Sequence, residues 1–370
     1  MRWKNLLAAT VALATVALGG ALAPPQPAAA QYGPPSGGVC SADARLLGFS
    51  DSLDKTTYEG QPVAGLSALS LTRPGHALAL VDNVATTPAR VFGLELDARR
   101  GKPEVEVESL TILRRADGTP YTGADFDGEG LVVERGGRSI LASSEREPSI
   151  RRFRLADGKE TASLAVPERF RVAPAGEAAT NATFEALAAS RDGRTLFAGM
   201  EGPLAADGTD ADGRSRNRIL EYAGKPGRDY RVAAQYGYRT DPGLSLVELA
   251  VADRDQLVAL ERGYTPGVGN TIKVFTVSLR RATDVTDRAS LADAPDRTYL
   301  KKDLLFDLAE CPPSGAVAKQ PQPNPLLDNV EGMALGGWLP GRGRQLYLIS
   351  DDNSGASQIT RFYSLAVDLR

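Results

Sequence analysis

The sequence predicts an all-β fold, a β-propeller, with five repeats visible and six blades the preferred count. Three observations carry this. One pattern recurs at 64–83, 128–147, 184–202, 244–263 and 330–353. Each copy reads as a strand, a turn rich in Gly, Asp or Arg, and a second strand. No long amphipathic helix interrupts them; the segment TFEALAASRD at 183–192 is short, and its relatives sit among strand signals. Units repeated at this spacing, each too small to bury its own core, suggest radial stacking. A β-sandwich with long loops is the alternative, and the internal repeat disfavours it.

The chain opens with Arg2 and Lys4, followed by an apolar segment over 6–23, three prolines, and Ala28-Ala29-Ala30. This is the pattern of a secretory signal over residues 1–30, cleaved after Ala30, with a retained membrane anchor as the other reading. Residues 31–44 form an N-terminal extension, and 45–370 the propeller domain. No later window is apolar for the length a membrane span needs. Cys40 and Cys311 are the two cysteines. Export makes a disulfide between them one reading, and two free buried thiols the other.

Positions 67, 129, 185, 248 and 331 of the first strands are separated by 62, 56, 63 and 83 residues. Such a unit holds four antiparallel strands and a loop. Third strands are expected at Val91 to Leu96, Ile150 to Leu155, Ile219 to Tyr222, Ile272 to Val277 and Ile359 to Leu365. The longest interval accommodates an insertion, such as the Pro-rich 311–325 segment, or an additional blade. Residues 205–217 are a polar, Gly-rich excursion between strands.

Each repeat carries acids at fixed places. Glu129, Glu185, Glu248 and Glu331 open four first strands, where the first copy has Ser67. Asp82, Glu145, Glu201, Glu261 and the pair Asp351-Asp352 end the second strands. If the first strands line a channel, the carboxylates meet near one axis and raise each other's pKa. A hard cation, Ca²⁺ above all, would offset the repulsion with oxygen ligands. Glu129, Glu185, Glu248, Glu331, Asp351 and Asp352 are therefore candidate metal ligands. Arg146, Arg262 and Arg218 are candidate anion-binding groups, with Arg216 and Lys273 as further cations, since a guanidinium fork suits phosphate or carboxylate. Glu145 and Glu201 are candidates for positioning water. The structural alternative makes the same carboxylates strand caps and blade-to-blade fasteners. DGTDADGRS at 207–215 has an acidic, Gly-rich calcium look, yet lacks the later acid of an EF-hand loop.

Other chemistries find little support. A formal net charge of -3 gives no electrostatic case for nucleic acid. His76 is the sole histidine, just after a turn, which leaves a Ser-His-Asp triad and a zinc site without material. Neither a nucleophile elbow nor a P-loop is present.

Several stretches together resemble one family. They are Glu129-Gly130-Leu131, Phe184-Glu185-Ala186-Leu187 and Asn329-Val330-Glu331-Gly332-Met333-Ala334, with SSERE at 143–147, AGMEGP at 198–203, RNRILEY at 216–222, LVALERGY at 257–264 and LYLISDDN at 346–353. They resemble the secreted bacterial proteins with a phytase-like domain, the esterase-like activity of phytase family, over roughly residues 45–370. The resemblance implies a propeller related to calcium-dependent phytases, with acids around the channel mouth holding the metal. The repeated Glu motifs transfer residue by residue; the catalytic clusters of those phytases do not align clearly. Two functions are expected to compete. One is a secreted calcium-assisted hydrolase acting on a small-molecule ester or phosphoester. The other is a non-catalytic extracellular propeller that binds a ligand, polysaccharide or protein, using the loops 205–217 and 263–270.

Overall fold

The computed structural model describes residues 38–97 and 103–369. The signal sequence expected at 1–30, and residues 31–37 of the extension to 44, lie outside the described residues. The first strand, β1 (Ala44–Ser50), is followed by a two-residue hairpin, β2 (Thr57–Tyr58) and β3 (Gln61–Pro62). Blade 1 comprises β4 (Leu66–Arg73), β5 (His76–Val81), β6 (Arg90–Asp97) and β7 (Glu104–Ile112). Blade 2 comprises β8 (Gly128–Val133), β9 (Ser139–Ser144), β10 (Ser149–Arg154) and β11 (Glu160–Ser163). Blade 3 is built from β12 (Phe184–Ala189), β13 (Thr195–Met200), β14 (Arg216–Gly224) and β15 (Tyr230–Arg239). Blade 4 follows with β16 (Ser245–Asp253), β17 (Gln256–Thr265), β18 (Gly269–Ser278) and β19 (Lys301–Asp307). Blade 5 takes β20 (Val330–Leu339), β21 (Gly343–Ser350) and β22 (Phe362–Val367), and borrows β1 as its outer strand.

The described residues thus form five four-stranded antiparallel blades, one for each visible repeat. No sixth sheet of that kind is among them. The long interval before Glu331 is filled by loops instead, at 279–300 and 308–329. The expected third strands are β6, β10, β14, β18 and β22.

The first strand of each repeat is innermost. Strands β4, β8, β12, β16 and β20 each pack on the next, and β20 packs on β4 to close the ring. Apolar side chains on the two faces of each blade then meet those of its neighbours. Five core clusters result, one for each blade interface. Phe153, Phe126 and Leu131, for example, join Ala68, Leu80 and Val91 between blades 1 and 2. Close approach needs small residues on the inner strands. A Cβ on Gly130 would lie 2.5 Å from that of Leu187, and one on Gly332 would lie 2.6 Å from Ile349.

Closure is held twice. Strand β1 pairs antiparallel with β22 from Ala44↔Val367 to Ser50↔Phe362. Just before β1, Cys40 is bonded to Cys311 in the loop between blades 4 and 5, across 271 residues of sequence. The cross-link removes freedom from the unfolded chain, and more so for a long loop. Replacing both cysteines by serine is expected to cost at most about 5 kcal/mol in urea unfolding. An unchanged midpoint would show that β1 pairing alone closes the ring.

Candidate functional site

A backbone device repeats where the first and second strands of a blade begin and end. The ladder slips at the start of every inner strand: between Leu66 and Ala68, Gly128 and Leu131, Phe184 and Ala186, Leu246 and Glu248, and Val330 and Gly332. The residues inside these bulges are Ser67, Glu129 with Gly130, Glu185, Val247 and Glu331. A bulge re-aims a side chain and ends regular pairing. In four blades, the first residue beyond the second strand donates its N–H to the carbonyl two places before the bulged residue. Asp82 bonds Gly65, Glu145 bonds Asp127, Glu201 bonds Thr183 and Asp351 bonds Asn329, at 2.7–3.1 Å.

Blade 4 departs from the others. Its ladder pairs Leu246 with Glu261 and Ser245 with Arg262, so Val247 and Arg262 take the two equivalent places. Glu248 and Glu261 are each offset by one residue from the acids they resemble in sequence. Side chains alternate along a strand, so one step redirects them. Glu248, 1% exposed, accepts from the N–H of Leu187 on the neighbouring inner strand at 3.2 Å and from Leu249 at 2.8 Å. Burial alone holds its carboxyl well above the usual range. Glu261 accepts from the Tyr238 hydroxyl at 2.5 Å and the Asp241 N–H at 2.8 Å, and pairs with Lys302. Both are fasteners.

The other acids converge. Oxygens of Asp82, Asp127 and Glu129 all lie within 4.8 Å of one another, as do those of Glu129, Glu145 and Glu185. Glu201, Glu331 and Asp351 extend the cluster, and Ser67 donates its hydroxyl to Glu331 at 3.2 Å. Asp127 was not among the acids expected from sequence. Its signal was local: it stands two places before Glu129, where the repeat needs only a carbonyl.

Burial, then neighbouring carboxylates, push these groups up. Asp82 rises to about 8, through burial and a hydrogen bond with Asp127. Glu145 rises to about 7, through burial and the charge of Glu201. Glu129, Glu185 and Asp351 are held well above the usual carboxylate range by burial first and nearby acids second. Arg262 reaches into the ring, 3.0 Å from Glu331 and 3.8 Å from Glu201. Burial opposes its charge, but Glu331, Glu185 and Glu201 outweigh that and keep it protonated.

The remaining sequence candidates sit elsewhere. Arg218 is fully buried and forms a two-pronged pair with Asp207 at 2.7 and 3.0 Å, so it is part of the loop architecture. Asp352 pairs with Lys55 and accepts from the N–H of Gly65 at 3.0 Å. Arg146 is exposed and donates to the Gly123 carbonyl at 3.2 Å. Arg216 donates to the Asp207 carbonyl at 3.0 Å and Lys273 pairs with Asp241 at 2.9 Å. In the 207–215 loop, Asp210 is bonded by Arg214 at 2.8 Å, which fills the place a cation would take. His76 faces Glu108 at 3.1 Å on a surface hairpin.

The family model for phytase-like proteins, described as esterase-like activity of phytase, matches residues 61–354. The chain belongs to the phytase-like family. That match takes in every residue of the acidic ring. A comparison with curated proteins finds no match. Among solved structures, this phytase-like chain is similar to the periplasmic gluconolactonase of Pseudomonas aeruginosa, 14% identical over 90% of this chain and 95% of that one, with a TM-score of 0.35. A Trichoderma reesei carbohydrate-active enzyme of family AA12 is 10% identical over 91% and 99%, with a TM-score of 0.41. Kuenenia stuttgartiensis hydrazine synthase is 10% identical with a TM-score of 0.34, and this chain spans 59% of its length.

Two outcomes follow from the site. A carboxyl whose folded pKa is raised contributes stability below its unfolded value and loses it as pH climbs through the folded value. With divalent cations chelated, melting temperature is therefore expected to fall as pH passes the values near 7 and 8 of Glu145 and Asp82. A rise over that window would contradict the burial of these carboxyls. Arg218→Ala strands Asp207 and should cost about 3–5 kcal/mol in chemical unfolding. If the variant still folds, its loss of melting temperature as pH passes 7 and 8 should be unchanged; a changed pH profile would put Arg218 back in the site.

Proposed function

We propose that this phytase-like chain is an exported, calcium-assisted hydrolase of small anionic or neutral esters, phosphomonoesters or carboxylic esters. The observation that carries the reading is the convergence of buried carboxyls at one end of the ring, with Glu129 between two pairs of them. The residues fit a hard cation. Every donor is an oxygen, and the spread of up to 4.8 Å suits opposite ligands on calcium, which lie about 4.6–5.2 Å apart across the ion. Glu129 would hold it together with Asp82 and Asp127 or with Glu145 and Glu185. Bound there, calcium would supply positive charge to polarise the ester's oxygen.

The chain's own residues do the rest. Arg262 orients the anionic end of the substrate, exchanging its longer contact with Glu201 for the ligand. Glu201, released, accepts a proton from water. Glu331, 3.0 Å from the guanidinium, holds Arg262 in position. Arg262 is the cation that bears most on Glu185 and Glu201, which favours an ester of low charge over a polyphosphate. Export is supported by the leader-like N-terminus and by the Cys40–Cys311 disulfide.

One observation favours a binding module instead. The β17–β18 hairpin rises beyond Arg262, and its tip exposes Tyr264 and Val268 as a contact surface.

Purified protein should turn over p-nitrophenyl phosphate, a short p-nitrophenyl ester or phytate only when calcium is present. Arg262→Ala should then lower kcat/KM by about 10–100-fold, through a loss of roughly 1.4–2.8 kcal/mol of transition-state stabilisation, with partial rescue by Arg262→Lys. No turnover on any of the three, with or without calcium, would sink the hydrolase and leave the binding module.

A further inference from the structure

We propose that the mouth of the channel opposite the acids is a binding site for an acidic sugar, a hydroxyl-rich carboxylate held by Arg191 and Arg344 against Trp338. The site stands apart from the proposed function, since no acid of the ring lines it.

The five inner strands all run from the bulges at the acids toward the other end of the ring. Their far halves wall a funnel of about 700 Å³, within the roughly 300–1,000 Å³ of small-ligand sites. Its charged residues are Arg191 from the blade 3 turn, Asp253 from the end of β16 and Arg344 from β21. Two guanidiniums against one carboxylate make this mouth positive, where the other end of the channel is acidic.

The two arginines differ in how they are held. Arg344 donates to the Gly336 carbonyl at 3.1 and 3.3 Å and to the Ala252 carbonyl at 2.9 Å. Those bonds fix the guanidinium at the rim and leave N–H groups over. Arg191 is exposed, and among the described residues no hydrogen bond or ion pair holds it. Its turn neighbour Asp192 is taken by the Ser190 hydroxyl at 2.7 Å and the Arg194 N–H at 3.0 Å. Burial first, and then the charge of Arg191, hold the Arg344 guanidinium below its usual range, with Asp253 opposing. Two cations near enough to repel, one of them unpartnered, suit a carboxylate.

The wall selects the rest of the ligand. Strands β4, β8, β12, β16 and β20 each stand at the edge of a sheet, and a strand edge carries N–H and C=O groups without a strand partner. Five such edges offer donors and acceptors together. A hydroxyl is both, and one already serves in the funnel: the Ser70 hydroxyl accepts from the N–H of Val133, in the neighbouring blade, at 3.1 Å. A plain fatty or aryl acid would leave the other edge groups unmet. Trp338, 75% exposed and directly across the ladder from Arg344, adds an aromatic face. The C–H groups of a pyranose ring pack on such a face, whose π-cloud is negative.

The test is titration of the full chain with digalacturonate and with neutral digalactose, following tryptophan emission. Divalent cations are chelated, so that no metal carries the acid to the other end of the channel. Trp3 and Trp338 are the two tryptophans, so the change that Trp338→Phe abolishes belongs to the funnel. A saturable change with digalacturonate is expected, lost in Trp338→Phe. Affinity should fall about 10-fold or more for digalactose, and by a similar factor for digalacturonate with Arg191→Ala, since each removes a charge-assisted hydrogen bond. Both substituted side chains are exposed, so melting temperatures should match that of the unaltered chain and show that the variants fold. No saturable change with digalacturonate, or one that Trp338→Phe keeps, would overturn the site. Equal affinity for the two sugars, or full affinity in Arg191→Ala, would overturn the guanidinium recognition on which the proposal depends.

Discussion

Ring closure is the constraint from which the site follows. Each blade alone carries only one bulged residue and one strand-end residue, and neither is unusual. Closing β20 onto β4 brings all five copies to a common end of the molecule. A repeat in sequence thereby becomes a concentration of charge in space. The cost is like-charge repulsion in a poorly solvated place, and it grows with every blade that keeps the acid. The β1–β22 pairing and the Cys40–Cys311 bond hold the ring shut against that repulsion.

The bulge is the means by which backbone and charge are reconciled. In four blades the N–H following the second strand is satisfied by a carbonyl of the inner strand, which leaves the side chain free to face its counterparts. The alternating apolar residues further along the same strands go to the blade interfaces. One local distortion thus separates a hydrophobic fold from a polar site. Glycine or alanine follows the bulged residue at Ala68, Gly130, Ala186 and Gly332, where neighbouring strands come close.

Much of this was legible in the sequence, because repetition needs no knowledge of contacts. The strand pairs, the third strands and the acids of blades 2, 3 and 5 all sit where the repeat put them. Three things were not legible, for physical reasons. Blade number depends on how loops are spent, and 279–300 and 308–329 are long without being a blade. Register depends on where a bulge falls, and sequence similarity alone set Glu248 and Glu261 one step from their true counterparts. The partner of a cation depends on loops that return from a distance: Arg218 stands on the repeat's third strand, but Asp207 from the 205–217 loop claims it.

The one-step offset in blade 4 has the largest consequence. Had Glu248 and Glu261 kept the register of the other blades, acids would fill the fourth sector and no guanidinium would stand in the ring. The slip instead sends Glu248 to the Leu187 backbone and Glu261 to Lys302, and it delivers Arg262 in their place. Symmetry would make a trap for cations only. The broken symmetry sets a fixed positive charge beside the acids, 3.0 Å from Glu331, so that carboxylates and a guanidinium face the same space. Polar recognition of that kind depends on unlike groups held at fixed separation, and an unaltered five-fold repeat cannot provide them.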